Sequence, residues 1–243
     1  MKMKKIIAVA VAAAALGCSC IFPASATDST TCSKSFSAKD GQVVTTKIYV
    51  ALDSSSPTSE ICGVQAHLQF DPDTLKYTDA VDGVKEEGNI STEFTTGSWF
   101  PSLYPIYMPA GNFLTSTMDA GSGYDLSTKK MLSSVDFDVT KAGVTSVSAD
   151  IQELYANNDE LSDLLAYGKI SLEIAINGYS LGDVTTDNNT SISDAIALQK
   201  RIAGISKFSE LQECLGDVNG DGTVSISDAI CVQKKIAGII ETL

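Results

Sequence analysis

The chain has 243 residues and a formal net charge of −13, with 30 acidic side chains against 17 basic ones and a single histidine. Such a charge repels nucleic acid and anionic membrane surfaces, which removes both from the expected partners. One histidine supports no His-based metal cluster, and no GxSxG nucleophile motif is present. The balance suits an extracellular protein that binds cations.

The first residues, MKMKKIIAVAVAAAALGCSCIFPASA, place Lys2, Lys4 and Lys5 before an apolar run from Ile6 to Leu16 and a small-residue Ala24-Ser25-Ala26. This reads as a secretory signal peptide over residues 1–26, cut after Ala26. The apolar run is too short to span a bilayer. Lipoprotein processing at Cys18 is disfavoured by Ala15, where such signals prefer leucine. The expected location is therefore secreted and extracellular. Losing three lysines and no acid makes the mature chain more acidic still. Cys32, Cys62, Cys214 and Cys231 remain. Their wide spacing does not match a zinc knuckle. Disulfides Cys32–Cys62 and Cys214–Cys231, or four free thiols, both remain open.

Residues 27–177 read as short strands. GQVVTTKIYVAL (41–52) is rich in β-branched residues. In CGVQAHLQFD (62–71), Val64, Ala66, Leu68 and Phe70 alternate with Gly63, Gln65, His67 and Gln69, which predicts one buried and one wet face. Asp71-Pro72-Asp73 ends that strand in a turn. Further strands are expected in 113–120, 131–140, 144–151 and 169–176. Many short strands at this spacing predict an antiparallel β-sandwich.

After Asn177 the pattern changes, and residues 178–243 read as a small all-α domain. LGDVTTDNNTSISDAIALQKRIAGI (181–205) is repeated as LGDVNGDGTVSISDAICVQKKIAGI (215–239). Beyond Asp194 and Asp228 the spacing is helical. Ala195, Leu198 and Ile202 share one face, as do Ala229, Val232 and Ile236. Gly204 and Gly238 are placed as C-terminal caps. Residues 206–215 are expected to form a short third helix. The joint, Asn177-Gly178-Tyr179-Ser180, is short enough to hold the two domains close.

Each repeat opens with crowded carboxylates. Counting from the first aspartate, the second loop has Asp217, Asn219, Asp221 and Asp228 at positions 1, 3, 5 and 12. Thr223 at position 7 offers its backbone carbonyl, and Gly222 at position 6 permits a sharp turn. Alternate oxygen donors in a tight loop converge on one centre, as in an EF-hand-type calcium loop. The first loop keeps Asp183, Asp187 and Asp194 at positions 1, 5 and 12, with Asn189 at position 7. Thr185 replaces the amide at position 3 and Asn188 replaces glycine, so looser binding is expected there. Two Ca2+ ions are expected, and metal binding should be part of folding. Position 12 is Asp rather than the longer Glu, and a strand-like segment precedes the first loop, which opposes an ordinary EF-hand pair.

A calcium loop followed by one helix, present twice, resembles a type I dockerin over residues 181–240. The resemblance implies a cohesin as partner, contacted by Ile192, Ser193, Gln199 and Lys200 in one repeat and by Ile226, Ser227, Gln233 and Lys234 in the other. The sets are identical, so either helix is expected to dock. Lys200, Arg201, Lys234 and Lys235 put positive charge there, which would steer an acidic partner.

Three stretches of the strand region are similar to a cohesin domain, a jelly-roll β-sandwich that receives dockerins: SAKDGQVVTTKIYVAL, ICGVQAHLQFDPDTLKY, and MLSSVDFDVTKAGVTSVSADI with YANND. That likeness implies a dockerin-bearing enzyme or subunit as a second partner, with Gln65 and His67 at the contact. The two resemblances together imply a non-catalytic adaptor scaffoldin of a cellulosome, tied to the cell surface through its partners. The alternatives are a dockerin-bearing small glycoside hydrolase or a carbohydrate-binding module. The first would draw on carboxylates such as Glu86, Glu87, Glu93 and Asp119. The second would stack sugars on Trp99, Phe100, Tyr104 and Tyr107.

Overall fold

Alternating burial along each strand builds two five-stranded antiparallel sheets. The computed structural model describes residues 30–82, 90–96, 110–119, 124–156 and 164–243. The expected signal peptide, Glu86, Glu87 and the aromatic residues 99–107 lie outside these. In chain order the strands are β1 (Thr31–Ala38), β2 (Val43–Leu52), β3 (Glu60–Ile61), β4 (Gly63–Phe70), β5 (Leu75–Asp82), β6 (Ile90–Thr96), β7 (Asn112–Asp119), β8 (Tyr124–Asp125), β9 (Lys130–Val139), β10 (Gly143–Tyr155), β11 (Gly168–Ile176) and β12 (Tyr179–Ser180). One sheet runs β1-β10-β4-β7-β6 and the other β12-β11-β2-β9-β5, while β3 and β8 form a two-stranded ribbon.

The sheets enclose a core that includes Phe36, Ile48, Leu68, Phe113, Leu132, Phe137 and Leu172, all with no exposed surface. Val64, Ala66 and Leu68 of β4 point inward as their alternation predicts, with Gln65 and His67 on the opposite face. Phe70 is half-buried and rests on Phe137, ring centroids 4.7 Å apart. Gly63 is buried rather than wet, because the ring of Tyr155 on the neighbouring strand lies over it.

Strands β1, β5 and β6 carry too weak an alternation to have been expected. In β1 only Phe36 and Ala38 are buried, and β5 is interrupted by Lys76, Asp79 and Asp82. The strand expected at 144–151 continues to Tyr155 through a bulge between Ile151 and Glu153, which shifts the register without ending the strand.

The joint between the two regions is itself a hairpin. Ile176 pairs with Tyr179, and the intervening Asn177 and Gly178 both have positive φ, 50° and 86°. This is the type I′ geometry that Asn-Gly favours. The chain passes from β12 straight into Leu181, and the core continues with it. Ile176, Leu181, Val184, Leu198, Leu215 and Val232 belong to the same buried cluster as the sandwich interior.

Three helices follow: α1 (Ile192–Ile202), α2 (Glu210–Gly216) and α3 (Ile226–Ile236). Helices α1 and α3 begin three residues before the expected starts at Ala195 and Ala229. Ser191 and Ser225 act as N-caps, each accepting from the backbone N–H two residues on at 3.2 Å. Asp194 and Asp228 close the reciprocal bond to the cap N–H at 2.8 Å, completing capping boxes. Gly204 and Gly238 end the helices as expected. Ile205 N–H donates to Lys200 and Ile239 N–H to Lys234, each at 2.9 Å, the Schellman arrangement.

All four described cysteines are free thiols. Cys32 sits opposite Ala149 on β10, whereas the Cys62 N–H bonds to Tyr155 of the same strand. That separation is roughly 20 Å along β10, far beyond the ~7 Å Cα reach of a disulfide. Burial pushes the Cys214 and Cys231 thiols up from their ordinary pKa.

Replacing Phe137, fully enclosed between the sheets, by alanine removes a ring that its neighbours cannot refill. Phe137→Ala is expected to lower unfolding free energy by about 3–5 kcal/mol, read as a fall in the urea midpoint.

Candidate functional site

The two acidic loops fold by the same internal hydrogen bonds. Asp183 accepts from Asp187 N–H at 3.1 Å and Asn188 N–H at 2.9 Å. Asp217 accepts from Asp221 N–H at 3.0 Å and Gly222 N–H at 2.9 Å. Each first aspartate therefore curls its own loop. At position 6, Asn188 and Gly222 both take left-handed φ, 66° and 93°, so asparagine does sustain the turn there. Asp194 and Asp228, at position 12, accept from the position-3 backbone N–H of Thr185 and Asn219 at 2.9 Å and 3.2 Å. The same carboxylates cap α1 and α3, so loop closure and helix initiation share one side chain.

Asp183, Asp194, Asp217 and Asp228 are all buried. Burial pushes the Asp228 carboxyl above its ordinary pKa, against the hydrogen bonds from Ser225 and Asn219, and the nearby Asp217 charge adds to the rise. In the first loop, oxygens of Asp183, Asp187 and Asp194 all lie within 4.8 Å of one another. Among the described residues no Lys or Arg forms an ion pair with any of the three. Three clustered carboxylates without a protein cation suit one hard divalent ion with oxygen ligands.

Among the described residues the second loop does not draw its three aspartates into such a group. There Asp221 accepts from Thr223 N–H at 2.9 Å, Thr223 Oγ1 at 2.8 Å and Asn219 Nδ2 at 2.9 Å. In the first loop Thr185 gives its hydroxyl to Asp194 at 2.9 Å instead, and among the described residues Asp187 accepts only from Asn189 N–H, at 3.0 Å. The amide expected to favour the ion at position 3 instead engages the neighbouring carboxylate.

The helices present paired apolar surfaces. Ile192 and Ile226 are 58% and 56% exposed, and Ile205 and Ile239 are 75% and 70% exposed. Ile196 with Ile230 and Ile202 with Ile236 complete four matched pairs of exposed isoleucines. Ile202 and Ile236 were expected on the buried face. Ala195, Leu198, Ala229 and Val232 are buried there, but the last turn of each helix runs past that contact. Ser193, Gln199, Lys200 and Gln233 are exposed, and Ser227 and Lys234 are half-buried. Arg201 is not free for a partner, since its Nε donates to Glu213 Oε1 at 2.6 Å. Sequence reasoning missed Ile196, Ile202, Ile205 and their counterparts as surface residues. Their identity in both repeats was the available signal.

On the sandwich, Gln65 and His67 lie on the outer face of β4, in the middle of its sheet. His67 Nε2 is 2.8 Å from Asn112 Oδ1 and Nδ1 is 3.4 Å from Asp150 Oδ1. The Asp150 hydrogen bond raises the His67 pKa against the effect of burial.

The geometry defines a β-sandwich joined to a duplicated loop–helix domain with an acidic cluster and two like apolar faces. Residues 181–237 match the family described as Dockerin type I domain. No curated protein matches the chain. Among solved structures, the chain is similar to CaCohA2 from Clostridium acetobutylicum, with 14% identity and TM-score 0.36, over 56% of this chain and 84% of that one. It is also similar to the seventh ScaB type I cohesin from Pseudobacteroides cellulosolvens, at 19% identity and TM-score 0.34, over 48% and 71% of the two chains. A third is the second type II cohesin module of the cellulosomal adaptor ScaA scaffoldin of Acetivibrio cellulolyticus, at 13% identity and TM-score 0.29, over 62% and 86%. Among the described residues no helix is long and apolar enough to cross a membrane.

A raised folded-state pKa means that protonated His67 stabilises the fold below its unfolded value of about 6.5. This contribution is lost as pH rises through the folded pKa. Unfolding free energy should therefore fall as pH rises from about 6.5 through the folded pKa. His67→Gln should flatten that step in pH-dependent urea titrations.

Proposed function

We propose that the chain is a non-catalytic adaptor of a cellulosome. Its C-terminal dockerin docks onto a cohesin of a larger scaffoldin, and its sandwich acts as a cohesin that receives the dockerin of an enzyme or other subunit. The observation that carries the reading is the pair of exposed isoleucine faces on a domain matching type I dockerins. Large exposed apolar side chains repeated at matched positions are costly unless a partner covers them. The three cohesin-like stretches and the two-layer antiparallel fold support the sandwich's role.

Two Ca2+ ions complete the dockerin, one per loop. The side chains of Asp183, Thr185, Asp187 and Asp194 with the backbone carbonyl of Asn189 would hold one ion. Asp217, Asn219, Asp221 and Asp228 with the carbonyl of Thr223 would hold the other. Calcium supplies the positive charge that lets these carboxylates share a loop. Export through the N-terminal signal places the protein outside the cell, where polysaccharide-degrading assemblies work. The two halves must differ in specificity, because a chain that plugged into its own kind would grow open filaments.

Binding is measured by calorimetry between the full-length protein and type I cohesins, in calcium and after chelation. Affinity should be lost on chelation. Ile196→Asp or Ile230→Asp alone should weaken binding by about two-fold, because the second face still docks, whereas the double variant should lose at least about 100-fold. Equal large losses in each single variant would contradict two equivalent faces. Failure of every cohesin to bind would contradict the docking role.

A further inference from the structure

The two calcium loops are nearly identical inside and differently placed outside. Among the described residues only the second touches the sandwich through its first aspartate. Asp217 Oδ2, which accepts from Gly222 N–H, also accepts a 2.5 Å hydrogen bond from the hydroxyl of Ser37 on β1, 180 residues earlier. Asp183 has its two loop N–H donors and no such partner among the described residues. Strand β1 is the edge of its sheet. Its buried side chains, Phe36 and Ala38, point into the sandwich, leaving Ser35 and Ser37 on the other face.

A second contact lies beside the first. Gly220, at position 4 of the second loop, is buried, and a Cβ there would come within 2.5 Å of the carbonyl carbon and oxygen of Ser35. Its φ is +67°, but backbone conformation alone does not require glycine. Thr186 holds position 4 of the first loop at φ +57°. Glycine is needed at 220 because the main chain of β1 is so close. A third contact holds the far side, where Lys34 Nζ donates to the main-chain oxygen of Leu243 at 2.5 Å and to Thr242 Oγ1 at 3.3 Å. Three residues of one edge strand, Lys34, Ser35 and Ser37, thus hold the dockerin at its second loop and at residues 242–243.

We propose that the second calcium loop and strand β1 form one composite site, in which Ser37 positions Asp217 and cation binding locks the dockerin onto the sandwich edge. The inference rests on the calcium-binding reading above. Asp217 is the first ligand of its loop, and a hydroxyl donating to it fixes the direction in which its carboxylate faces the ion. Outer-shell donors of this kind typically change metal affinity 10- to 100-fold. By linkage, what the sandwich adds to calcium affinity, calcium adds to domain docking. The two docking faces on α1 and α3 stay exposed throughout, so the lock sets the direction in which they point relative to the sandwich without covering them.

Hydrogen exchange on the full-length protein, with calcium and after chelation, tests this segment by segment. In the unaltered protein, calcium should slow exchange in 183–194 and 217–228, and also in 34–38. Gly220→Thr copies the residue that the first loop already tolerates. It should leave calcium-dependent protection of 183–194 intact, weaken that of 217–228 and abolish that of 34–38. Ser37→Ala should weaken one of two calcium-binding steps by about ten-fold and spare the other. If neither loop responds to calcium, the calcium reading fails and this inference with it. If the loops respond but 34–38 does not, or Gly220→Thr leaves 34–38 unchanged, the coupling alone is overturned. Unaltered calcium affinity in Ser37→Ala would overturn the positioning role.

Discussion

Everything in the C-terminal domain depends on how buried carboxylates are satisfied. Asp183, Asp194, Asp217 and Asp228 are each removed from water, and a buried ion is tolerated only when hydrogen bonds or an opposite charge compensate it. Backbone N–H groups meet part of the need, and they do so by curling each loop and starting each helix. The remaining negative charge has no protein cation in the first loop among the described residues. The same constraint that shapes the loops therefore asks for a divalent ion, and the ion in turn would hold α1 and α3 where their isoleucines face outward.

The two domains are less separate than their compositions suggest. A two-residue hairpin turn at Asn177-Gly178 joins them, and a single buried cluster runs from the sandwich into the helices. Strand β1 belongs to the sandwich by its backbone pairing and to the dockerin by Lys34, Ser35 and Ser37. The adaptor role proposed above would gain from such a joint. It keeps one surface in a defined direction from the other, while a loose linker would not.

Much of this was legible in the sequence. The alternation in 62–71 put Val64, Ala66 and Leu68 inside, and the duplicated aspartates with their following glycines placed both loops and both helix ends. Other features were hidden for physical reasons. The pattern TCSKSFSA in β1 loses its alternation at Lys34, which stands in phase with Phe36 and Ala38 and serves a contact formed 209 residues away, and no local periodicity announces that. The exposure of Ile202 and Ile236 depends on where one helix stops covering the other. The position-3 side chain bonds to position 12 in the first loop and to position 5 in the second, a difference between Thr185 and Asn219 that the count of oxygen donors does not reveal.

The central claim is that cations organise the dockerin. Calorimetric titration of calcium into the chelator-stripped full-length protein, with helical ellipticity followed on the same samples, tests it directly. Two ions bound per chain, with ellipticity rising in step with occupancy, is the predicted result. Full helicity before any calcium is added, with no heat of binding, would contradict it.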